Sequence, residues 1–342
     1  MQAKAEGLGG KGDLYQFWGS RLYESVLDKS GTGKISPIKE GDVIDLGDRP
    51  LKIIDLPGHT PGSIAVLDVK NRVLISGDSV QDSNIYMFGP RRNIADYIVS
   101  LRHLRNFKAD FDLIFPSHGT FPLQNGQIEK LLAGAEDIVF NRAAGSEMEL
   151  FGNKTVWYKF DFAGFYCDLP KEVWGLLDEN GNVTGEKFVR CKDCYKIIPQ
   201  GRYHLVVDAT VVHKDGTILM TKRSNEKDVY PGYWEPGAGG SAVEGESAEV
   251  AATRELFEET GIRAGKMELI NVSKSDNHGI FYSFVTHVDC DKNSVVLQEG
   301  ETVDYKWVDK QGFLDYVDSE HSMHYHNSRI EKFVQEVRDS LK

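Results

Sequence analysis

The sequence predicts an α/β (α+β) fold in two domains, 1–169 and 170–342. Three observations predict it. At 342 residues the chain is long enough for two full cores. Strand-like alternation and helix-like periodicity follow one another along its whole length instead of separating into blocks. A first set of elements closes near residues 167–171, and a hairpin pattern begins directly after it with no Gly/Ser-rich linker between.

In chain order, residues 13–28 (DLYQFWGSRLYESVLD) carry apolar positions at helical spacing, ended by the GTG at 31–33. A strand is expected at 51–56 (LKIIDL), followed by the sharp loop PGHTPGS. Residues 63–78 alternate apolar and polar about Lys70 and Asn71, as a hairpin does, and end on Gly77 and Asp78. Residues 94–107 read as an amphipathic helix, 112–115 as a short buried strand closed by the loop PSHG, and 124–142 as another helix. Beyond the join, 172–190 is a hairpin about the turn DENG. The buried run 203–212 (YHLVVDATVV) is a strand whose partner is 217–223, across the turn at 213–216. A helix over 247–260 follows a loop rich in glycine and proline. Residues 267–272, 280–288 and 303–308 alternate as strands, and 313–316 and 328–341 close the fold as helices.

Residues 240–262 read GSAVEGESAEVAATRELFEETGI and hold the chain's densest set of acids in a helical pattern. Ser247 suits the N-cap and Gly261 the C-terminal end of a helix that has no internal proline or glycine. On it Glu255, Glu258 and Glu259 stand at i, i+3 and i+4, so three carboxylates share one face and repel one another. Arg254 reaches Glu258 at i+4, but one guanidinium does not neutralise three acids. The surplus charge calls for a divalent cation, and all-oxygen ligands select a hard one, Mg²⁺ or Mn²⁺. Mg²⁺ on carboxylates completes its shell from water and phosphate oxygens, so the expected substrate is a phosphate ester or anhydride. Most acidic helix faces are solvated surface and nothing more. Here the preceding loop, 230–240 (YPGYWEPGAGG), argues otherwise, because its glycines let backbone approach a ligand closely.

At every specified position, Gly240, Glu246, Arg254, Glu255, Leu256, Glu258, Glu259, Gly261 and Ile262, the stretch resembles the Nudix box. The resemblance implies a Nudix hydrolase over 170–342, an α/β/α sandwich about a mixed sheet that cleaves a nucleoside diphosphate linked to another moiety. It implies that Glu258 and Glu259 hold the metal together with the Gly240 carbonyl, that Glu255 is a metal ligand or the base, and that Arg254 and Glu246 orient them. Glu301, in LQEGETVDYKWV, is a second base by the same resemblance, with Glu299 competing. Arg223 could meet phosphate or serve in a structural pair, and Trp234 and Tyr230 could stack a base or pack. The hairpin at 172–190 resembles the lead-in of isopentenyl diphosphate isomerase-like Nudix proteins, but that isomerase's catalytic cysteine has no counterpart in KDVYPGYWEP. A nucleotide-sensing module without turnover would have no need of all the acids and the arginine. Hydrolysis is thus the leading expectation.

In the first domain His59, Asp78 and His118 each fall at the end of a strand beside glycine, where α/β proteins place their sites. The segments GDVIDLG, LPGHTPGS, LISGDSV and FPSHG resemble the second half of a metallo-β-lactamase-fold hydrolase, an αβ/βα architecture. The resemblance implies that His59 and His118 ligate metal and that Asp78 bridges two metals. The HxHxDH motif of that family is absent, and no histidine precedes His59. A catalytic Zn²⁺ usually takes three protein ligands, so Zn²⁺ here is doubtful and the domain is expected to be hydrolytically silent in the chain as given, a scaffold or self-association surface. Met1 reads as an internal start, a truncation or a boundary after lost sequence. If a longer chain exists, this half could be a second hydrolase.

The net charge of -12 argues against a nucleic-acid polymer or an anionic membrane as partner, while a small diphosphate or nucleotide is still compatible because bound cations reverse the local sign. No window approaches a membrane-spanning apolar run, the stretch MQAKAEGLGGKGDLYQFW lacks the apolar core of a signal peptide, and four cysteines suit a reducing compartment, so a cytoplasmic protein is expected. Cys191 and Cys194 form one CxxC without a second pair, which reads as surface thiols before a zinc knuckle. The diphosphate substrate and assembly into a homo-oligomer are not written in the sequence.

Overall fold

The computed structural model describes residues 13–17, 21–27, 33–227 and 229–342. The chain divides into two compact units, Met1–Glu172 with Val189–Ile197, and Val173–Phe188 with Ile198–Lys342.

The first unit opens with three antiparallel strands, β1 (Asp13–Phe17), β2 (Arg21–Leu27) and β3 (Gly33–Ile38). The helix expected over 13–28 is not formed; Leu14 pairs with Glu24 and Tyr15 with Tyr23 across a strand ladder. Apolar residues at 14, 15, 17, 22, 23 and 26 satisfy either period, and the aromatic and β-branched content decides for the strand. Next, β4 (Val43–Asp45), β5 (Pro50–Asp55), β6 (Ile64–Asp68) and β7 (Val73–Gly77) make an antiparallel meander. The chain then leaves through β8 (Asn84–Met87) and returns by α1 (Ile94–Leu104) to β9 (Leu113–Pro116), which lies parallel to β7.

Asn93 caps α1, its Oδ1 accepting from the amides of Ala95 and Asp96. After Leu104 the helix tightens into a 3₁₀ turn over Arg105–Asp110, so the α-helix ends before the expected residue 107. Then β10 (Leu123–Gln124) edges β9, and α2 (Gln127–Val139) lies against α1. A second sheet holds β11 (Gly145–Leu150), β12 (Asn153–Phe160) and β13 (Ala163–Asp168), with β8 parallel to β13. Tyr97 of α1 is fully buried, sets its ring edge-on to Phe165 at 6.2 Å and donates its hydroxyl to the Ser79 carbonyl at 2.8 Å. This ties the helix to the loop that follows β7.

The second unit is built on β16 (Tyr203–His213), after the hairpin β14 (Val173–Leu177) and β15 (Val183–Val189). β16 pairs antiparallel with β14, with β17 (Ile218–Arg223) and, after β18 (Trp234–Pro236), with β19 (Ala238–Ser241). Beyond α3 (Ala248–Thr260), β20 (Met267–Lys274) pairs with β21 (Gly279–Val288), which runs parallel to β16. β22 (Thr302–Val308) flanks β17, and α4 (Lys310–Val317), α5 (His324–Arg329) and α6 (Glu331–Asp339) close the chain. The helix expected over 328–341 is two pieces, broken at Ile330.

The alternation of β16 separates the two faces of this mixed sheet. Val207, Ala209 and Val211 pack with Ala251, Ala252 and Leu256 of α3. Ile218, Met220 and Val285 pack on the other side with Phe313, Ile330, Phe333 and Val334 of the closing helices. The result is a helix–sheet–helix sandwich. The paired alanines let α3 approach β16 closely, and truncating fully buried Leu256 to alanine would cost about 2–5 kcal/mol.

Candidate functional site

The acidic helix α3 forms where its sequence signals place it. Ser247 Oγ accepts from the amide of Val250 at 3.3 Å, and Gly261 ends the helix at φ 70°. In front of it, β19 lies so close to β16 that a Cβ on Gly237 would stand 1.8 Å from the Ala209 carbonyl oxygen. Gly240, opposite Val207 in this ladder, is equally constrained, since a Cβ there would meet the Glu255 carboxylate at 2.3–2.5 Å. The glycine loop thus cradles an acid of the helix.

Arg254 organises the acids. Its Nε and Nη2 donate to the two oxygens of Glu246 at 2.7 and 2.8 Å. Nη1 donates to Glu255 at 2.8 Å and to Glu258 at 3.0 Å, and Nη2 also reaches the Ser241 carbonyl at 3.1 Å. All five guanidinium N–H groups have an acceptor, so the fork holds three carboxylates in register with β19. These bonds keep the Glu246 carboxyl below its usual range and raise the guanidinium.

Glu259 is different. It is 2% exposed and bonds none of these groups. Burial, with the neighbouring Glu235 adding repulsion, pushes its carboxyl up to about 8, against the opposing pull of Lys227 and Arg223. Lys227 Nζ stands 3.6 Å from Glu259 Oε1 and pairs with Glu301, which brings Glu301 to the same cation. Glu299 lies exposed on the surface. Lys227 and Glu235 were not anticipated from the sequence. A strand or loop acid next to glycine-rich backbone carries no periodic signal, and only strand pairing shows that Glu235 approaches α3.

The remaining expected residues have bonded partners of their own. Arg223 donates to Glu235 at 2.9 Å and, twice, to the Val229 carbonyl at 3.1 and 3.0 Å. Burial works against its charge, and Glu235 outweighs that and raises it. The Trp234 ring carries Lys306 at 4.4 Å over its face, and its carbonyl accepts from the Tyr316 hydroxyl. Tyr230, at φ 50°, sits edge-on to Tyr233 with centroids 5.3 Å apart.

The acid set suits a hard cation, because its donors are all oxygen and a nearly buried carboxylate stands among them with its charge only partly offset. Among the described residues no group of three or more His, Cys, Asp or Glu side chains is placed to hold a metal ion.

In the first unit the strand ends converge as expected. His59 Nε2 lies 3.6 Å from one Asp78 oxygen and His118 Nε2 lies 3.5 Å from the other. Burial lowers the His59 pKa in spite of Asp78. His59 is 7% exposed, while the His118 side chain is 67% exposed, so one imidazole is enclosed and the other is open to solvent.

Two families match the chain, the NUDIX domain over residues 202–326 and the metallo-beta-lactamase superfamily over 8–118. An uncharacterized Nudix hydrolase of Listeria monocytogenes is 33% identical over 143 residues, 41% of this chain and 81% of that protein. The chain belongs to the Nudix hydrolases. As a Nudix hydrolase it acts on pyrophosphate bonds, and it carries a metallo-β-lactamase-type domain ahead of the Nudix domain. For that first domain, the acyl-coenzyme A thioesterase MBLAC2 of Gallus gallus is 36% identical over 97 residues. The match spans 28% of this chain and only 30% of that thioesterase. Among solved structures, one from Deinococcus radiodurans (DR0079) aligns with 49% of this chain and 98% of its own, at 18% identity and TM-score 0.37. No helix among the described residues is long and apolar enough to cross a membrane.

Proposed function

We propose that residues 170–342 form a Mg²⁺-dependent (or Mn²⁺-dependent) pyrophosphohydrolase that cleaves a nucleoside diphosphate linked to another moiety. Glu255, Glu258 and Glu259, with the Gly240 carbonyl, are the cation's ligands. The single observation that carries this reading is the Arg254 fork, which gathers Glu246, Glu255 and Glu258 next to Glu259, a carboxylate only 2% exposed. When bound, the cation neutralises pyrophosphate oxygens and lowers the pKa of a water. Arg254 holds Glu255 and Glu258 in place through the fork it shares with Glu246. Glu301 and Glu255 are the two carboxylates in reach to take the water's proton, and each pairs with a cation, Lys227 and Arg254 respectively. Arg223, Trp234 and Tyr230 flank the loop before α3. Three of the five Arg223 N–H donors go to Glu235 and the Val229 carbonyl, so a structural pair is one of its tasks, beside the phosphate contact expected of it.

The test is product analysis of a broad panel of diphosphate compounds with Mg²⁺, comparing the protein with Glu259→Gln. Turnover that is lost in the variant supports the reading and names the substrate class. If neither protein turns over any compound while both bind nucleotide, the domain is a sensor and the proposal fails.

Both His59 and His118 stand within 3.6 Å of Asp78, which gathers the three groups expected of a metal site in the first domain. With two histidines and one aspartate for the two metals that Asp78 would bridge, neither metal would have the three protein ligands that a catalytic zinc usually takes. We keep the first domain as hydrolytically silent in this chain. Two zinc ions per chain by elemental analysis, with ester turnover lost in His118→Ala, would overturn that.

A further inference from the structure

Segment 189–197 holds a side-chain pair that the hydrolase reading leaves unused. Cys191 and Cys194 are both half-buried free cysteines, and their thiols are hydrogen-bonded to one another. They are the ends of a tight turn whose third residue, Asp193, takes the left-handed conformation at φ 55°. A turn of this kind brings its first and fourth Cα atoms within about 7 Å, inside the span that a disulfide bridges. The left-handed region is costly for a residue with a side chain, and it persists where neighbours impose it.

Here the neighbours are side chains of α1 and the residues before the turn. Asp193 Oδ2 accepts from Asn93 Nδ2 at 2.9 Å, the same asparagine that caps α1. Lys196 bonds Asp96 of α1 at 2.7 Å and stands 3.4 Å from Asp193. Before the turn, the Arg190 amide donates to the Glu172 carbonyl at 3.0 Å and its guanidinium pairs with the Glu172 carboxylate at 2.6 Å. Both ends of the turn are therefore fixed in the arrangement that holds the sulfurs together. The two thiols are also unequal. The bond from Cys191, with the nearby Arg190 charge, lowers Cys194, and the same bond, with burial, raises Cys191. That division of roles, a nucleophile and a resolving thiol, is what dithiol exchange uses.

We propose that Cys191 and Cys194 are a redox-active dithiol that exchanges with low-molecular-weight disulfides, with Cys194 as the attacking sulfur. The Cys194 thiolate attacks one sulfur of the small disulfide, forms a mixed disulfide and releases one thiolate. Cys191 gives up its proton and attacks Cys194 Sγ, which closes the intramolecular bond and expels the second thiol. The protein loses two electrons and two protons, and the external disulfide gains them as two free thiols.

The experiment places the full chain in defined mixtures of reduced and oxidised glutathione, quenches with acid, alkylates and maps cysteine peptides by mass spectrometry. The expected result is a Cys191–Cys194 disulfide, with Cys167 and Cys290 recovered unpaired. Cys191→Ser should accumulate one glutathione adduct on Cys194, and Cys194→Ser should form the adduct on Cys191 at least roughly tenfold more slowly. Unchanged circular dichroism shows that the variants fold, and the wild-type peptide map decides the matter if either does not. The proposal is overturned if both thiols stay free in fully oxidised glutathione, if the two variants react at equal rates, or if the purified protein carries a zinc ion that shields both thiols.

Discussion

Lys227 places its ammonium 3.6 Å from Glu259, a carboxylate that α3 buries almost completely, and the same ammonium pairs with Glu301. A positive charge from the loop after β17 thus stands where the helix presents its least compensated acid. Any divalent cation drawn to Glu259 meets that ammonium first. The protein holds its own counter-ion in the acid cluster, and a bound cation would replace part of what Lys227 does.

Lys227→Met tests this exchange. Without the ammonium, the metal-free protein keeps a buried acid with one fewer compensating charge and should lose stability. The proposed Mg²⁺ site then has no internal competitor, so the Mg²⁺ concentration for half-maximal turnover should fall several-fold. A Mg²⁺ titration of turnover in both proteins measures it. An unchanged midpoint would show that Lys227 does not compete.

Arg254 gives the second prediction. Its planar fork bonds Glu246 through two nitrogens while Nη1 reaches Glu255 and Glu258, a pattern that a lysine ammonium does not reproduce. Arg254→Lys should keep the charge and lose the geometry. We expect kcat to fall by more than about tenfold, equivalent to about 1.4 kcal/mol, with the unfolding temperature little changed. A variant with wild-type kcat would reduce Arg254 to a charge-balancing role.

These two residues mark what the sequence revealed and what it did not. The helix of the acid cluster was legible because cap, periodicity and acid spacing are local, and Arg254, Glu255 and Glu258 lie within one turn. His59, Asp78 and His118 were legible as strand ends beside glycine. Lys227 and Glu235 were not, since their nearness to Glu259 depends on how β18 pairs with β17. Asp208 was hidden too. It sits within the apolar run of β16, yet it is a buried hub bonded by Ser283 at 3.0 Å and Arg329 at 3.1 Å, with His326 at 3.3 Å. The last two partners lie more than a hundred residues away, where no pattern in β16 points. The segment 13–28 failed for the opposite reason: its apolar spacing fits two periods, and pairing with β3 settles it as strand.

The pH dependence of the metal-free protein follows from Glu259. Its folded value, about 8, lies above the ordinary 4.5, so between these values the folded state holds a proton that the unfolded chain has released. Stability contributed by the protonated acid is complete below pH 4.5 and is lost as pH rises through 8. In the presence of a chelator, the unfolding free energy should drop over this window by an amount on the order of a few kcal/mol, and in Glu259→Gln the drop should be largely absent. Added Mg²⁺ should stabilise wild type more at pH 8.5 than at about pH 6, because the ion and the proton compete for one carboxylate. Denaturant melts across pH, with and without Mg²⁺, measure both effects, and a flat chelator profile would remove Glu259 from the proposed ligand set.

Glu301 separates the two carboxylates proposed as base. Its backbone carbonyl accepts from Ser224 at 2.8 Å, which anchors it beside the loop that carries Lys227, and its side chain is 38% exposed. Water therefore reaches it, whereas Glu255 is mostly enclosed by Arg254 and Gly240. A base needs its lone pair free at the moment of transfer, and an exposed acid that shares one ammonium meets that need better than an acid bonded in a filled fork. Glu301→Gln should lower kcat by more than tenfold while leaving the Mg²⁺ midpoint near that of wild type, and combined with Lys227→Met it should cost little more than it does alone, because the two act through one contact. If Glu301→Gln costs less than about tenfold in kcat, the base is Glu255, and Glu301 is left with the task of holding Lys227 beside Glu259.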